Sequence, residues 1–471
     1  MKPRSCLALL VVLLSACRDG VSTTDAGALD EEPTAPVPIP AEPQRPGDPA
    51  AGYDALINRP YVSCGVPYTA YARAYGPAPL ADRIPGRNAL NEEMPYDNTS
   101  FIAPSGVRLV TANCLLCHAA RINGELVVGL GNSALDFTAD RSVPAELAGG
   151  LITDETERAE WRRWADRMQF TAPYLVTRTV GANPADALAA IIFAHRVPET
   201  LAWSDELLTE PPPLEPVITD VPPWWGMRKK NAMFYMGFGR GDHARLMMSA
   251  SSLCTDTVEE ARAIDAYFND VRAYIASLTP PPHPFQIDEE RAAQGRELFE
   301  RTCSRCHGTY GEGGQYPNLM VPQSVVGTDA LLVEKSRGPG RDFAARFNRS
   351  FWGEAARIVV SNGYVAPPLD GIWATAPYLH NGSVPTLAAL LESGTRPVYW
   401  RRTFVNTDYD PVDVGWRHTV LDHGQDEEPD DAQRRTIYDT TLPGHSNMGH
   451  TFGDAFSAEE RLAVIEYLKT L

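Results

Sequence analysis

Two stretches of the chain hold the same set of reactive side chains. "NCLLCHAA" (113–120) and "TCSRCHGT" (302–309) each place two cysteines three positions apart, with a histidine directly behind the second. C-x-x-C-H is the attachment signature of c-type haem: Cys114 and Cys117, or Cys303 and Cys306, add to the haem vinyl groups, while His118 or His307 reaches the iron. The spacing suits one helical turn, which presents both sulfurs to one porphyrin edge and aims the imidazole at its centre. A thioredoxin-like C-x-x-C expects a βαβ context and no histidine, and a zinc site expects paired C-x-x-C units. With 8 Cys and 10 His in 471 residues, chance matches number on the order of 0.003. Two matches therefore predict two covalently bound haem c groups.

The distal side separates the two sites. An iron with protein ligands on both faces passes electrons, whereas an open face can bind oxygen or peroxide. His450 lies in "HSNMGHTFG", seventeen residues before Tyr467, between Gly449 and Gly453, which could let backbone approach a porphyrin. It is the expected distal ligand of the second haem, with His445, His380, Met448 and Met320 as alternatives. Seventeen residues before Tyr274 stands Thr257, and "SSLCTDTVEEARA" around it contains neither histidine nor methionine. The first haem is expected to lack a distal ligand.

These sites need helices to position them, and a repeat supplies the expectation. "VRAYIASL" (271–278) and the terminal "AVIEYLKTL" are alike, with 156 residues from His118 to Tyr274 and 160 from His307 to Tyr467. Ser457 and Glu460 form a capping box, and Leu462, Ile465, Leu468 and Leu471 recur on one helical face. "DEERAAQGRELFERTCSRCHG" reads as a helix running into the second motif, with Gly295 leaving room for a close crossing. "TPPPHPF" (279–285) cannot continue a helix and is the expected domain boundary.

G-x-x-L-F-x-x-x-C-x-x-C-H-G resembles the first helix of class I cytochrome c, whose terminal helix crosses it beside the haem. Motif order, the distal asymmetry and four segments resemble the bacterial di-haem cytochrome c peroxidase superfamily, and within it the branch of the di-haem rubber oxygenases. The segments are "NGELVVGLGNSALD" (123–136), "CHGTYGEGGQYPNLMVPQSVVGTD" (306–329), "LDGIWATAPYLHNGSVPTLAALL" (369–391) and "TLPGHSNMGHTFG" (441–453). The resemblance implies a reactive N-terminal haem on His118 and a relay haem on His307 and His450. It also implies a phenylalanine over the reactive face and a tryptophan near the inter-haem path. "PPWWGMRKKNAMFYMGFGRGD" (222–242) offers Trp224 or Trp225 and Phe234 or Phe238, although such a stripe also suits plain core. His380 is expected at the edge of the second haem, with a structural role as the alternative. No clear methionine follows "YLHNGSVPT", where the peroxidases carry one, which favours the oxygenase-like branch. Many relatives hold a calcium ion between the haems, and the sequence leaves this open.

The formal net charge of −18 and the absence of basic runs argue against a nucleic-acid partner. Residues 1–17 pair a short positive start with an apolar run ending in Leu14-Ser15-Ala16-Cys17, which resembles a lipoprotein signal with Cys17 lipidated. Residues 18–50, rich in Pro, Ala and acidic side chains, read as a disordered tether. In that oxidising setting Cys64 and Cys254 remain as a pair, and a disulfide is expected.

The sequence thus predicts a mainly α protein: an N-terminal cytochrome-c-like haem domain over 51–280, a C-terminal one over 281–471, and long irregular loops. Its expected place is the cell envelope, lipid-anchored and facing the periplasm or exterior, with the membrane touched only through the anchor. Its expected function is an oxidoreductase acting on peroxide or dioxygen, with or without an organic substrate, supplied by a small redox protein. A non-catalytic di-haem electron carrier is the alternative.

Overall fold

The computed structural model describes residues 34–471; the expected signal, Cys17 and residues 18–33 lie outside the described residues. Two helix crossings organise the chain. Helix Pro49–Asn58 packs along Val258–Ser277, and helix Glu289–Thr302 packs along Ala458–Leu468. Glycine lets each pair touch backbone to backbone: a Cβ on Gly52 would lie 1.9 Å from the Asp270 carbonyl oxygen, and one on Gly295 would lie 1.8 Å from that of Ala463. Ser457 and Glu460 make the capping box on the last helix, and the Thr257 hydroxyl caps Val258–Ser277.

The first helix of the N-terminal unit is thus Pro49–Asn58, far upstream of its motif, whereas Glu289–Thr302 runs directly into Cys303. The intervening insertion folds partly as a small antiparallel sheet of Val66–Pro67, Arg108–Ala112 and Asn98–Ile102. Cys64 and Cys254, with Cα atoms 5.8 Å apart, are disulfide-bonded and fasten this insertion to the loop before the closing helix. That loop is held again at Asp256, which pairs with Arg163 (2.8 Å), Arg167 (2.8 Å) and Arg196 (2.6 Å).

Among the described residues helix accounts for 40% and strand for 13%, so the architecture is mixed and the mainly α expectation holds only in part. Many helices last one or two turns, because forty prolines and thirty-six glycines interrupt them.

Two further features of the fold concern the expected tether and the expected boundary. Residues 34–50, read as disordered, are built onto the fold: Val37–Pro38 pairs with Leu319–Pro322, and the Arg45 guanidinium clasps Asp242 (2.7 Å) and Asp265 (2.8 Å). Composition registers the missing apolar mass but not a backbone ladder or a forked ion pair, and those hold this strap. The boundary near 280 divides helix pairs but not cores. Phe347, Phe351 and Trp352 are buried with Phe193, Leu246 and Phe268, while Ile122, Leu130 and Trp225 are buried with Phe299, Trp373 and Tyr467. Strand Gly239–Gly241 also pairs with Ala356–Ile358 across the boundary. Among the described residues no helix is long and apolar enough to cross a membrane.

Candidate functional site

Both motifs form a single helical turn, Leu115–His118 and Ser304–His307, and all four cysteines are free thiols. The His118 amide donates to the Cys114 carbonyl and the His307 amide to that of Cys303, which sets the histidine beside its own cysteines. Burial brings the His118 imidazole down to about 4, and a weaker pull from the Pro222 carbonyl opposes it. His307 is likewise lowered by burial, and its Nδ1 lies 2.9 Å from the Pro367 carbonyl, which leaves Nε2 free of that contact. A neutral imidazole oriented through one nitrogen is what a metal ligand requires. Each motif therefore presents two thiols and a neutral histidine that fit a c-type haem, and His307 is also oriented through Nδ1.

The two histidines face different surroundings. His450 approaches His307 with ring centroids 6.1 Å apart and the planes at 60°. His307 and His450 are the facing pair of imidazoles that would hold one haem iron between them. Burial lowers His450 to about 3, with the His307 ring adding to the shift. His450 adopts a left-handed backbone (φ 46°), and a Cβ on the preceding Gly449 would lie 2.1 Å from the Gly327 carbonyl carbon. The Arg396 guanidinium ties the loop down by donating to the carbonyls of Asn447, Gly449 and His450.

The alternative ligands are elsewhere. Met448 is 70% exposed, and Met320 packs beside Ile39 and Val365. His445 is buried against Tyr438 with its Nδ1 on the Pro443 carbonyl. His380 stacks on Tyr364 at 4.2 Å and meets Tyr235 edge-on at 6.4 Å, so its ring contacts are tyrosines rather than His307 or His450.

His118 opens instead on a cavity of about 540 Å³ whose walls are largely apolar, including Leu188, Phe193, Met233 and Phe347. Trp224 stacks on His118 at 4.8 Å, and Phe234 and Phe238 stack on one another at 4.5 Å in the wall. Trp225 is 1% exposed and points the other way, donating from Nε1 to the Asp370 carbonyl (2.6 Å). Asp370 also receives Lys229 at 2.7 Å, three residues from the Pro367 carbonyl that orients His307.

The counterpart of His450 also becomes clear. His450 stands seven residues before its helix cap, Ser457; seven before the cap Thr257 stands Ala250, which lines the cavity and offers no ligand. Counting back from the tyrosine led to Thr257 because the closing helix of the first unit is longer.

The cavity also holds polar groups that motif reading missed. Asp186 is raised by burial to about 6, Asp220 by burial to about 7, and Lys230 lowered by burial to about 8. His243, 3% exposed and lowered by burial to about 4, belongs to the same wall with its Nε2 lacking a hydrogen-bond partner. The available signal was an acidic residue inside the otherwise apolar "ADALAAIIFA". Among the described residues no group of three or more His, Cys, Asp or Glu is placed to hold a further metal ion.

The chain is similar to two curated proteins of Sinorhizobium fredii (strain NBRC 101917 / NGR234). It is 30% identical over 287 residues to uncharacterized protein y4iM, covering 54% of this chain and 61% of that one. To uncharacterized protein y4iJ it is 44% identical over 119 residues, covering 23% of this chain and 18% of that one. A solved structure of hydrazine synthase from Kuenenia stuttgartiensis matches 54% of this chain and 72% of that one at 13% identity, with a TM-score of 0.22. Residues 363–401 match the model of RoxA-like, cytochrome c-like domains. That matched segment includes Tyr364, Asp370, His380 and Arg396 and lies between the second C-x-x-C-H turn and His450.

Proposed function

We propose that the protein is a di-haem c-type cytochrome oxidoreductase with two unequal centres. Cys114, Cys117 and His118 would hold one haem, which would supply peroxide or dioxygen chemistry; Cys303, Cys306 and His307, with His450 facing His307, would hold another for electron transfer. The observation that carries this reading is the contrast at the distal sides: His307 faces His450 at 6.1 Å, whereas His118 faces a cavity of about 540 Å³. Haem c supplies the one-electron and oxygen chemistry when bound. The residues around it hold, orient and exclude water. Trp224 stacks on His118, and Trp225 reaches Asp370, beside the stretch that orients His307, so the two adjacent indoles join the sites. The apolar cavity walls suit an organic co-substrate. A small redox protein as donor, and a lipid anchor at Cys17 in the cell envelope, complete the proposal.

A specific observation favours a second reading: His243 lines the cavity and could close the first haem, which would make the protein a carrier. Cyanide titration of the as-isolated holoprotein separates the two. The oxidoreductase reading expects one haem to bind cyanide in the wild type, and His450→Ala to turn the other from low-spin to high-spin or aquo-ligated. Refusal of cyanide by both haems, relieved at one of them by His243→Ala, would establish the carrier.

A further inference from the structure

Behind the cavity wall lies a cluster that the proposed haem chemistry does not use. The Tyr235 hydroxyl donates to the Asp220 carboxylate at 3.3 Å, and both residues line the cavity that His118 faces. The His380 ring meets Tyr235 edge-on and stacks on Tyr364, whose hydroxyl donates to the Asp329 carbonyl at 2.6 Å. The backbone amide of Asp220 donates to the His380 carbonyl at 2.7 Å, which locks the cluster together. Two non-glycine residues in the left-handed region set its rings: Phe234 (φ 69°) immediately precedes Tyr235, and Leu379 (φ 67°) immediately precedes His380. Backbone held in this region is strained and concentrates at functional sites.

We propose that Tyr235 is a redox-active tyrosine that yields an electron to the first site, with the Asp220 carboxylate as acceptor of its phenolic proton. The inference rests on the peroxide reading of that site. Hydrogen peroxide is the oxidant: two electrons and two protons convert it to two molecules of water. One electron comes from Tyr235 and the other from the redox donor; solvent supplies the protons. The Tyr235 O–H bond breaks, its proton binds an Asp220 oxygen, and a neutral phenoxyl stands beside a neutral carboxylic acid.

Burial is what makes this pairing effective. Losing only an electron would leave a strongly acidic phenol radical cation in contact with the Asp220 carboxylate, so the proton moves to that carboxylate as the electron leaves. Proton transfer to Asp220 removes a buried negative charge at the moment the electron leaves, so the wall ends with no new charge. Burial raises Asp220 to about 7, which makes it a usable proton acceptor near neutrality, and it raises Tyr235 far above the ordinary phenol, so the proton does not leave beforehand. A tyrosine that only satisfied a buried carboxylate would share the hydrogen bond but would not be oxidised.

The test uses the full holoprotein, rapidly frozen after mixing with hydrogen peroxide, with the Soret band and electron paramagnetic resonance read on the same samples. The expected result is a shifted Soret band together with a tyrosyl signal whose hyperfine pattern collapses when ring-deuterated tyrosine is incorporated. Tyr235→Phe, at unchanged haem content, should abolish that signal, whereas Tyr364→Phe should leave it. Asp220→Asn should slow its appearance by about 100-fold, the low end of what a positioned proton acceptor contributes. A shifted Soret band with no tyrosyl signal, or with a signal that survives Tyr235→Phe, overturns the inference and leaves the proposed function standing. A Soret band unmoved by peroxide overturns this inference and the peroxide reading of the site together.

Discussion

Asp186 shows what a single side chain costs when the fold leaves it unpaired. It sits at the start of helix Ala185–Ala194, in the cavity wall, and burial alone raises it from 3.8 to about 6. A carboxyl raised in this way imposes no charge penalty below about pH 4, where it is protonated folded or unfolded. The penalty grows as pH rises through 6 and is complete above it. Asp186→Asn is therefore expected to raise the thermal midpoint at pH 8 and to leave it unchanged at pH 4. Melting curves at the two pH values check this, and an equal effect at both would remove the buried-charge explanation. His450 is the opposite case at the same scale: burial and a left-handed backbone hold a neutral imidazole facing His307.

At the scale of elements, the glycine-mediated crossing at Gly295 positions the Cys303–His307 turn. Gly295 meets the Ala463 carbonyl where the helix entering Cys303 crosses the closing helix, so any side chain there drives the two axes apart. Gly295→Val is expected to destabilise by at least about 1–3 kcal/mol, since overpacking against backbone cannot be relieved by a rotamer change. The same variant should broaden or shift the signals of the His307 centre before those of the His118 centre, because only the former hangs from this helix. Denaturation followed at the haem bands measures both effects. Arg396 acts similarly on the loop that carries His450: Arg396→Ala removes the donors to three consecutive-region carbonyls and is expected to loosen His450 while His307 stays in place.

Over the whole molecule, the two helix-pair units are not independent bodies. Phe347, Phe351 and Trp352 are each at most 2% exposed and lie in a core made largely by the first half of the chain. A fragment of residues 281–471 would expose them, so it is expected to aggregate or to remain partly folded; a monomeric, cooperatively melting fragment in size-exclusion and calorimetric runs would contradict the shared core. The Cys64–Cys254 disulfide closes a 190-residue separation within the first half. Replacing both cysteines with serine is expected to cost about 2–5 kcal/mol, through the larger freedom of the unfolded chain. Denaturant unfolding of oxidised, reduced and substituted protein measures that cost.

Features that depend on neighbouring residues could be read directly from the amino-acid order. The two C-x-x-C-H turns, the Ser457–Glu460 capping box and the close crossing at Gly295 each rest on side chains within a few positions, or on one residue too small to block an approach. Features that depend on distant segments could not. Ala250 rather than Thr257 is the counterpart of His450 because one closing helix is longer than the other, and a count along the chain cannot detect a shifted helix start. His243, Asp220 and Tyr235 carry no motif and became neighbours only when the cavity closed around them. The 34–50 strap is poor in apolar residues, so composition reads it as disordered, yet Arg45 finds Asp242 and Asp265 about two hundred residues away. Attachment chemistry is a matter of spacing along one turn, whereas the difference between the two centres lies in what the fold brings to their far sides, and only tertiary packing decides that.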